Sequence, residues 1–186
     1  MAPTATLGTV QIAILLFDRF AAFDAVAAHD ALSALPDADV TFVAPRPGPW
    51  RDETGQLELT ADAALREIPR PHVAVLPGGE GVRPLCHDRA VRAWLAGASA
   101  DPGWILTVGA GALLAACAGV LVHVSVAAPA SLRDELLDAG ALTAVAPVAI
   151  DRRVASAAHA QSVPALVARL AHPALTLSTS PKGPNR

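Results

Sequence analysis

The stretch "TVGAGALLAACAG", Thr107 to Gly119, decides the fold. The apolar lead-in "WILTV" reads as a buried strand, Gly-Ala-Gly as a tight turn, and the alanine- and leucine-rich remainder as a helix. An elbow of this kind usually holds up a nucleophilic side chain. Here it holds up Gly109, which has nothing with which to attack.

Working outward, "VQIAILLF" (Val10 to Phe17) is a continuous apolar run rich in β-branched residues, as expected of a strand buried on both faces. From Asp24 to Leu35, "DAVAAHDALSAL" reads as a helix stopped by Pro36. "DVTFVAP" from Asp39 is a second strand, "PRPGPW" a loop, "QLELT" a short extended stretch and "ADAALREI" a helix ended by Pro69. "HVAVLPGGEG" is a buried strand ending on glycines, and "DRAVRAWLAGA" a helix with Asp88 as its cap. Beyond the elbow, "VHVSVAA" and "RVASAAH" read as strands, "LTAVAPVAI" as extended, and "SLRDELLDAG" and Val163 to Leu170 as helices. Strands alternating with helices predict an α/β fold with a mostly parallel central sheet between helical layers. A single domain over residues 8–172 and a flexible tail over 173–186 complete the expected organisation.

Composition narrows the function. Of 186 residues, 53% are hydrophobic and 17% charged, and the net charge of −3 leaves no basic stripe for phosphates, so direct nucleic-acid binding is not expected. "IAILLF" is too short to cross a bilayer, so no membrane partner is expected either. Cys86 and Cys117 form no CxxC pair, which suits a reducing, cytoplasmic setting with Cys117 as a buried packing thiol. No metal-ligand spacing appears among the His, Asp and Glu residues, and no cofactor is expected.

Three strings, "FAAFDAVAAHDAL", "VAVLPGGEGV" and "ILTVGAGALLAACAGVL", resemble the PfpI-like and isonitrile hydratase families of the class I glutamine amidotransferase-like superfamily. The resemblance covers roughly Val10 to Leu170 and implies a flavodoxin-like three-layer sandwich that forms a homodimer. It also implies a cysteine where this chain has Gly109, followed by a threonine where it has Ala110. Farther on, the family's histidine and tryptophan fall where this chain reads Ala128, Pro129 and Ala130, and Pro164 stands near a frequent aspartate. The family's thiol mechanism therefore does not carry over, because nucleophile and base are both replaced.

What survives is an acid and a set of backbone donors. Asp24 matches the acid that approaches the family's cysteine, and a partly buried carboxylate serves as general acid or base; the same residue also suits a helix N-cap. Gly78 and Gly79 end a central strand where open α/β sheets form crevices, with Gly109 leaving room and the amides of Gly79 and Ala110 standing where the resemblance implies oxyanion donors. Glu80 either faces this crevice or forms a solvated pair with Arg83. His159 enters the cleft in place of the missing imidazole; His29, His123 and a Cys86–His87 dyad lack supporting context, and Trp94 and Trp104 read as core or interface aromatics.

Two functions fit. One is a cysteine-independent lyase, hydratase or isomerase on a small, largely apolar metabolite, with Asp24 and His159 catalytic. The other is an inactive small-molecule binder or partner subunit. The sensor half of some transcription regulators also shares this scaffold, but this chain has no room after Leu170 for a helix-turn-helix domain.

Overall fold

The computed structural model describes residues 9–100 and 103–171. Strand β1 (Val10–Leu15) is the expected apolar run, with Ile12, Ala13, Ile14 and Leu15 fully buried. Helix α1 (Ala22–Ser33) follows and returns the chain to β2 (Ala38–Ala44), which lies parallel to β1 from Val10 opposite Ala38 to Leu15 opposite Val43. A hairpin of β3 (Gly48–Arg51) and β4 (Glu58–Ala61) stands off the main sheet, and β5 (Ala63–Ala64) rejoins its edge beside β2. The core then continues through β6 (Val73–Leu76), α2 (Val82–Leu85), α3 (Arg89–Ala98), β7 (Trp104–Val108) and α4 (Gly111–Cys117). The last third contains β8 (Ser125–Val126), α5 (Arg133–Asp138), β9 (Leu142–Thr143), β10 (Val148–Asp151), β11 (Val154–Ala157) and α6 (Val163–Ala171).

The seven-stranded sheet has the order β10-β11-β7-β6-β1-β2-β5 and is parallel except where β10 runs against β11. Helices α1 and α6 pack on each other over β1, β2, β10 and β11, while α4 packs over β6 and β7 beside α2 and α5. The result is the three-layer α/β sandwich with a mostly parallel sheet that the alternation of strands and helices predicted, in the flavodoxin-like form that the resemblance implied. Asp88 caps α3 as expected, its carboxylate accepting from the amides of Ala90 (2.8 Å) and Val91 (3.0 Å). Among the described residues no helix is long and apolar enough to cross a membrane.

Four local expectations change. The segment "ADAALREI" is not a helix: Asp62 and Leu65 donate their amides to the carbonyls of Phe42 (2.8 Å) and Ala44 (2.9 Å), so pairing with the edge of β2 takes the backbone that a short helix needed. The segment "VHVSVAA" keeps only two residues of strand, since His123 adopts φ 58° and breaks the extension before β8, which pairs with β9 in a separate small sheet. The helix at "SLRDELLDAG" opens as a 3-10 turn over Ala130–Leu132 before α5 begins. Cys117 is exposed at the end of α4 rather than buried, because the burial of α4 stops at Ala115. The tail expected at 173–186 lies outside the described residues.

Cys86 and Cys117 are joined to each other, with Cα atoms 5.6 Å apart and a separation of 31 positions in sequence, and no free cysteine occurs among the described residues. The bond ties the end of α2 to the end of α4. Closing a loop of this size restricts the unfolded chain and stabilises the fold by about 3–4 kcal/mol in the chain-entropy account. The Cys86→Ser/Cys117→Ser double variant is expected to lose stability of that order, read from urea midpoints of the oxidised native chain and the variant. Equal midpoints would contradict the pairing.

Candidate functional site

Strands β6 and β7 are parallel neighbours with Leu76 opposite Thr107, so the chain leaves both at the same level and in the same direction. Their exits, Pro77-Gly78-Gly79 and Gly109-Ala110, therefore lie side by side at the carboxyl edge of the sheet, where open α/β sheets bind ligands. Gly109 makes the elbow with φ 56°, a left-handed conformation that costs a side-chain-bearing residue and that glycine adopts freely. Its amide donates to the carbonyl of Ala157 (3.0 Å), which fixes the elbow to β11.

Asp24 projects into this edge from the first turn of α1. The N-cap of α1 is Ala21, without a side-chain cap bond, so the capping role open to Asp24 in the sequence is not the one it takes. Its Oδ2 instead accepts the Gly78 amide at 2.9 Å and lies 3.0 Å from where a Cβ on Gly109 would begin. A Cβ on Gly78 would meet the same Oδ2 at 2.8 Å and the Ala110 nitrogen at 2.9 Å, so Asp24, Gly78, Gly109 and Ala110 form one compact cluster. Burial raises the Asp24 pKa above its ordinary 3.8; the Gly78 amide opposes this, the Glu53 carboxylate adds to it, and His159 opposes it. Among the described residues the amides of Gly79 and Ala110 donate to no backbone carbonyl in these turns.

His159 follows β11, whose Ala157 is level with Val108, and so leaves the sheet beside the elbow with its ring exposed. The structure thus brings together Asp24, Gly78, Gly79, Gly109, Ala110 and His159. It moves Glu80 away from the partner that sequence proximity suggested. Glu80 pairs with Arg19 across exposed loops, whereas Arg83 reaches Glu135 on α5 through two bonds of 2.7 and 2.8 Å. The two cysteines are held to each other at the ends of α2 and α4, and Cys117 is at the end of α4 opposite the elbow. Trp94 is a core residue, its indole N–H bonded to the Ile68 carbonyl at 2.7 Å, and His29 stacks on Phe42. Among the described residues no cluster of three or more His, Cys, Asp or Glu suits a metal ion.

The β3–β4 hairpin forms one wall. Phe20, in the turn after β1, makes a parallel bridge with Asp52; Arg19 donates to the Arg51 carbonyl and Glu53 to the Phe20 carbonyl, each at 2.9 Å. The Asp52 carboxylate holds the hairpin tip, accepting from the Thr54 hydroxyl (2.8 Å) and the amides of Gln56 (3.2 Å) and Leu57 (3.1 Å). Burial raises the Asp52 pKa, but these bonds outweigh it and hold the carboxyl below its usual range. Glu53 was not legible as a neighbour of Asp24, because "RDETGQ" signals only a turn and not where the turn folds. Beyond His159 a cavity of about 380 Å³ opens among Ala128, Arg133, Thr143 and Ala158. Arg133 was missed too, since one arginine in a helical segment carries no signal.

Two outcomes follow from this geometry. A raised native pKa means that stability falls as pH climbs from 3.8 through the native value, and that cost persists at neutral pH. Asp24→Asn, which keeps an acceptor for Gly78 without the buried charge, is expected to melt higher than the native chain at pH 7, the gap closing below pH 3.8, as followed by circular dichroism. Gly79 has φ 124°, and a Cβ there would come within 3.0 Å of backbone atoms of Arg19, Phe20 and Ala21. Gly79→Ala is expected to cost about 3 kcal/mol or more in urea unfolding.

Comparison with known proteins agrees with this architecture. The DJ-1/PfpI family model matches residues 10–172. An isonitrile hydratase from Pseudomonas putida is 31% identical over 112 residues, which are 60% of this chain and 49% of that protein; the chain spans about half the length of the curated relative it matches. A THiJ/PfpI family protein from Pseudomonas syringae superposes with a TM-score of 0.82 at 25% identity, covering 100% of this chain and 84% of that one. A ThiJ/PfpI domain protein from Brachyspira murdochii gives 0.81 at 14% identity, covering 92% and 99%, a likeness of fold alone. With the parallel sheet, the paired glycine turns and the acid on the first helix all falling inside the matched residues, the chain belongs to the DJ-1/PfpI family.

Proposed function

We propose that the protein is a hydratase- or lyase-type enzyme that acts on a small, largely apolar metabolite and uses Asp24 rather than a cysteine as its reactive side chain. The observation that carries this reading is the position of Asp24 Oδ2, 3.0 Å from where a side chain on Gly109 would start. The group facing the elbow, where the resemblance puts a thiol, is a carboxylate whose pKa is raised by burial. Likeness to the isonitrile hydratase from Pseudomonas putida supports the reaction class.

In this reading Asp24, ionised, takes a proton from a water molecule as the water oxygen bonds to an electrophilic carbon of the substrate. The π electron pair of that carbon moves to its multiply bonded neighbour, and the protonated Asp24 returns the proton to the atom left with the basic electron pair. In an ordinary double bond that atom is the neighbour; in an isonitrile it is the attacked carbon itself, whose hydroxy-imine then tautomerises to the formamide. Water is added and Asp24 ends as it began; the reverse sequence is an elimination. The amides of Gly79 and Ala110 donate to the atom on which negative charge grows, which stabilises the transition state more than the ground state. Gly78 holds the carboxylate in place, Gly109 provides room, and His159 orients a polar group of the substrate. Glu80, engaged with Arg19, shapes the rim. The homodimer belongs to the same reading: Phe23 is 61% and Val26 43% exposed on α1, apolar surface for a second copy to cover.

The test is hydration of a small alkyl isonitrile to the N-substituted formamide, followed by proton NMR. Native protein is expected to turn over, with an acidic limb in kcat/KM whose midpoint lies above 3.8. Asp24→Asn is expected to lose about 100-fold or more, the usual weight of a positioned proton-transfer group, and to lose that limb. Gly109→Ala is expected to lower kcat/KM by putting a methyl against Asp24. Unchanged turnover in folded Asp24→Asn would remove Asp24 from the chemistry, and saturable binding of the isonitrile without conversion would favour a silent binder.

A further inference from the structure

The cavity beyond His159 has no role in the reaction just described. It is built by small residues: Ala128, Ala130, Ala144, Ala146 and Ala158 line it, together with prolines and Val145. Its volume of about 380 Å³ falls within the range of small-molecule sites. Ala158 joins it to the elbow, since the Ala158 carbonyl lies 4.0 Å from a Cβ position on Gly109. The cavity wall at Ala158 is thus a direct neighbour of the elbow.

Among the apolar lining residues stand three with polar side chains, Arg133, His159 and Thr143. Arg133 opens α5, and no ion pair or hydrogen bond engages its side chain among the described residues. Of the acids on α5, Asp134 and Asp138 make no ion pair with Arg133 among the described residues, and Glu135 is spent on Arg83 through both carboxylate oxygens. The opposite flank of the crevice is negative, with Glu53 near enough to Asp24 to raise its pKa. The site is therefore polarised, acidic at the hairpin and cationic in the cavity.

We infer that this cavity binds a carboxylate: the substrate is a short, branched aliphatic molecule whose anionic end pairs with Arg133 while its reacting carbon lies over Gly109. The inference rests on the proposed reaction for the reacting end but concerns a separate group. A guanidinium presents two parallel N–H donors to a carboxylate, a geometry that an amide of the same shape does not match. The alanine and valine walls suit the aliphatic body, and the charge gradient sets its direction, anion away from Glu53.

Isovalerate and its neutral isostere isovaleramide serve as probes, titrated into the native chain at low salt with amide shifts followed by NMR. Isovalerate is expected to bind about tenfold or more tightly than isovaleramide, a difference of about 1.4 kcal/mol, with shifts at Ala128, Ala144 and His159. Arg133→Gln, an exposed change that leaves the core untouched, is expected to remove the preference by weakening isovalerate alone, and Arg133→Lys to restore part of it. Equal affinity for the two probes, a preference that survives Arg133→Gln, or no saturable isovalerate binding would overturn the inference. Asp24→Asn is expected to bind isovalerate as the native chain does. Arg133-dependent binding together with full turnover by Asp24→Asn would keep the carboxylate site and discard the proton-transfer reading, and the converse pattern would do the opposite.

Discussion

The register of β6 and β7 sets everything at the carboxyl edge of the sheet. Leu76 opposite Thr107 makes two parallel strands end level, and two glycine-bearing turns then emerge within contact of each other. A shift by one residue would exchange the faces of one strand and separate the turns. Because the strands are buried on both sides, with Val73 to Leu76 and Trp104 to Val108 all inside the core, slippage would press each side chain into packing shaped for its neighbour. Core packing thereby fixes the positions of Gly78 and Gly109 without any bond between them.

Into this fixed gap α1 inserts a carboxylate. Its place near a helix N-terminus and its bond from the Gly78 amide favour the charge, but desolvation wins, and the group is left with a raised pKa. A charge kept at such a cost is weakly solvated and correspondingly ready to accept a proton. The neighbouring charges divide by side: Glu53 arrives from the hairpin and His159 from the end of β11, so the field across Asp24 runs from one wall of the crevice to the other.

The fold was legible because its signals were long and redundant. "VQIAILLF", "HVAVLP" and "WILTV" each read as buried strands, and the glycines after two of them marked the turns. The misread pieces were short. "ADAALREI" has helix-forming residues, but two amide bonds to β2 decide its conformation, and such tertiary pairing has no local trace. At the site, Asp24 and the glycines were found because they sit beside strand ends whose meeting follows from topology. Glu53 and Arg133 come from a hairpin tip and a helix start whose docking depends on the whole chain. The cysteines were misjudged for the same reason: Cys86 and Cys117 are 31 residues apart, and only the packing of α2 on α4 brings them together.

The hairpin tip carries a consequence of its own. Asp52 gathers the Thr54 hydroxyl and the amides of Gln56 and Leu57, while flanking backbone bonds sew both neighbours of the tip to the turn after β1. Such a strap is a fixed jamb rather than a swinging door. Under the proposed function, small molecules reach the acid from the alanine-lined side, where the bulk admitted is set by what the five alanines leave out.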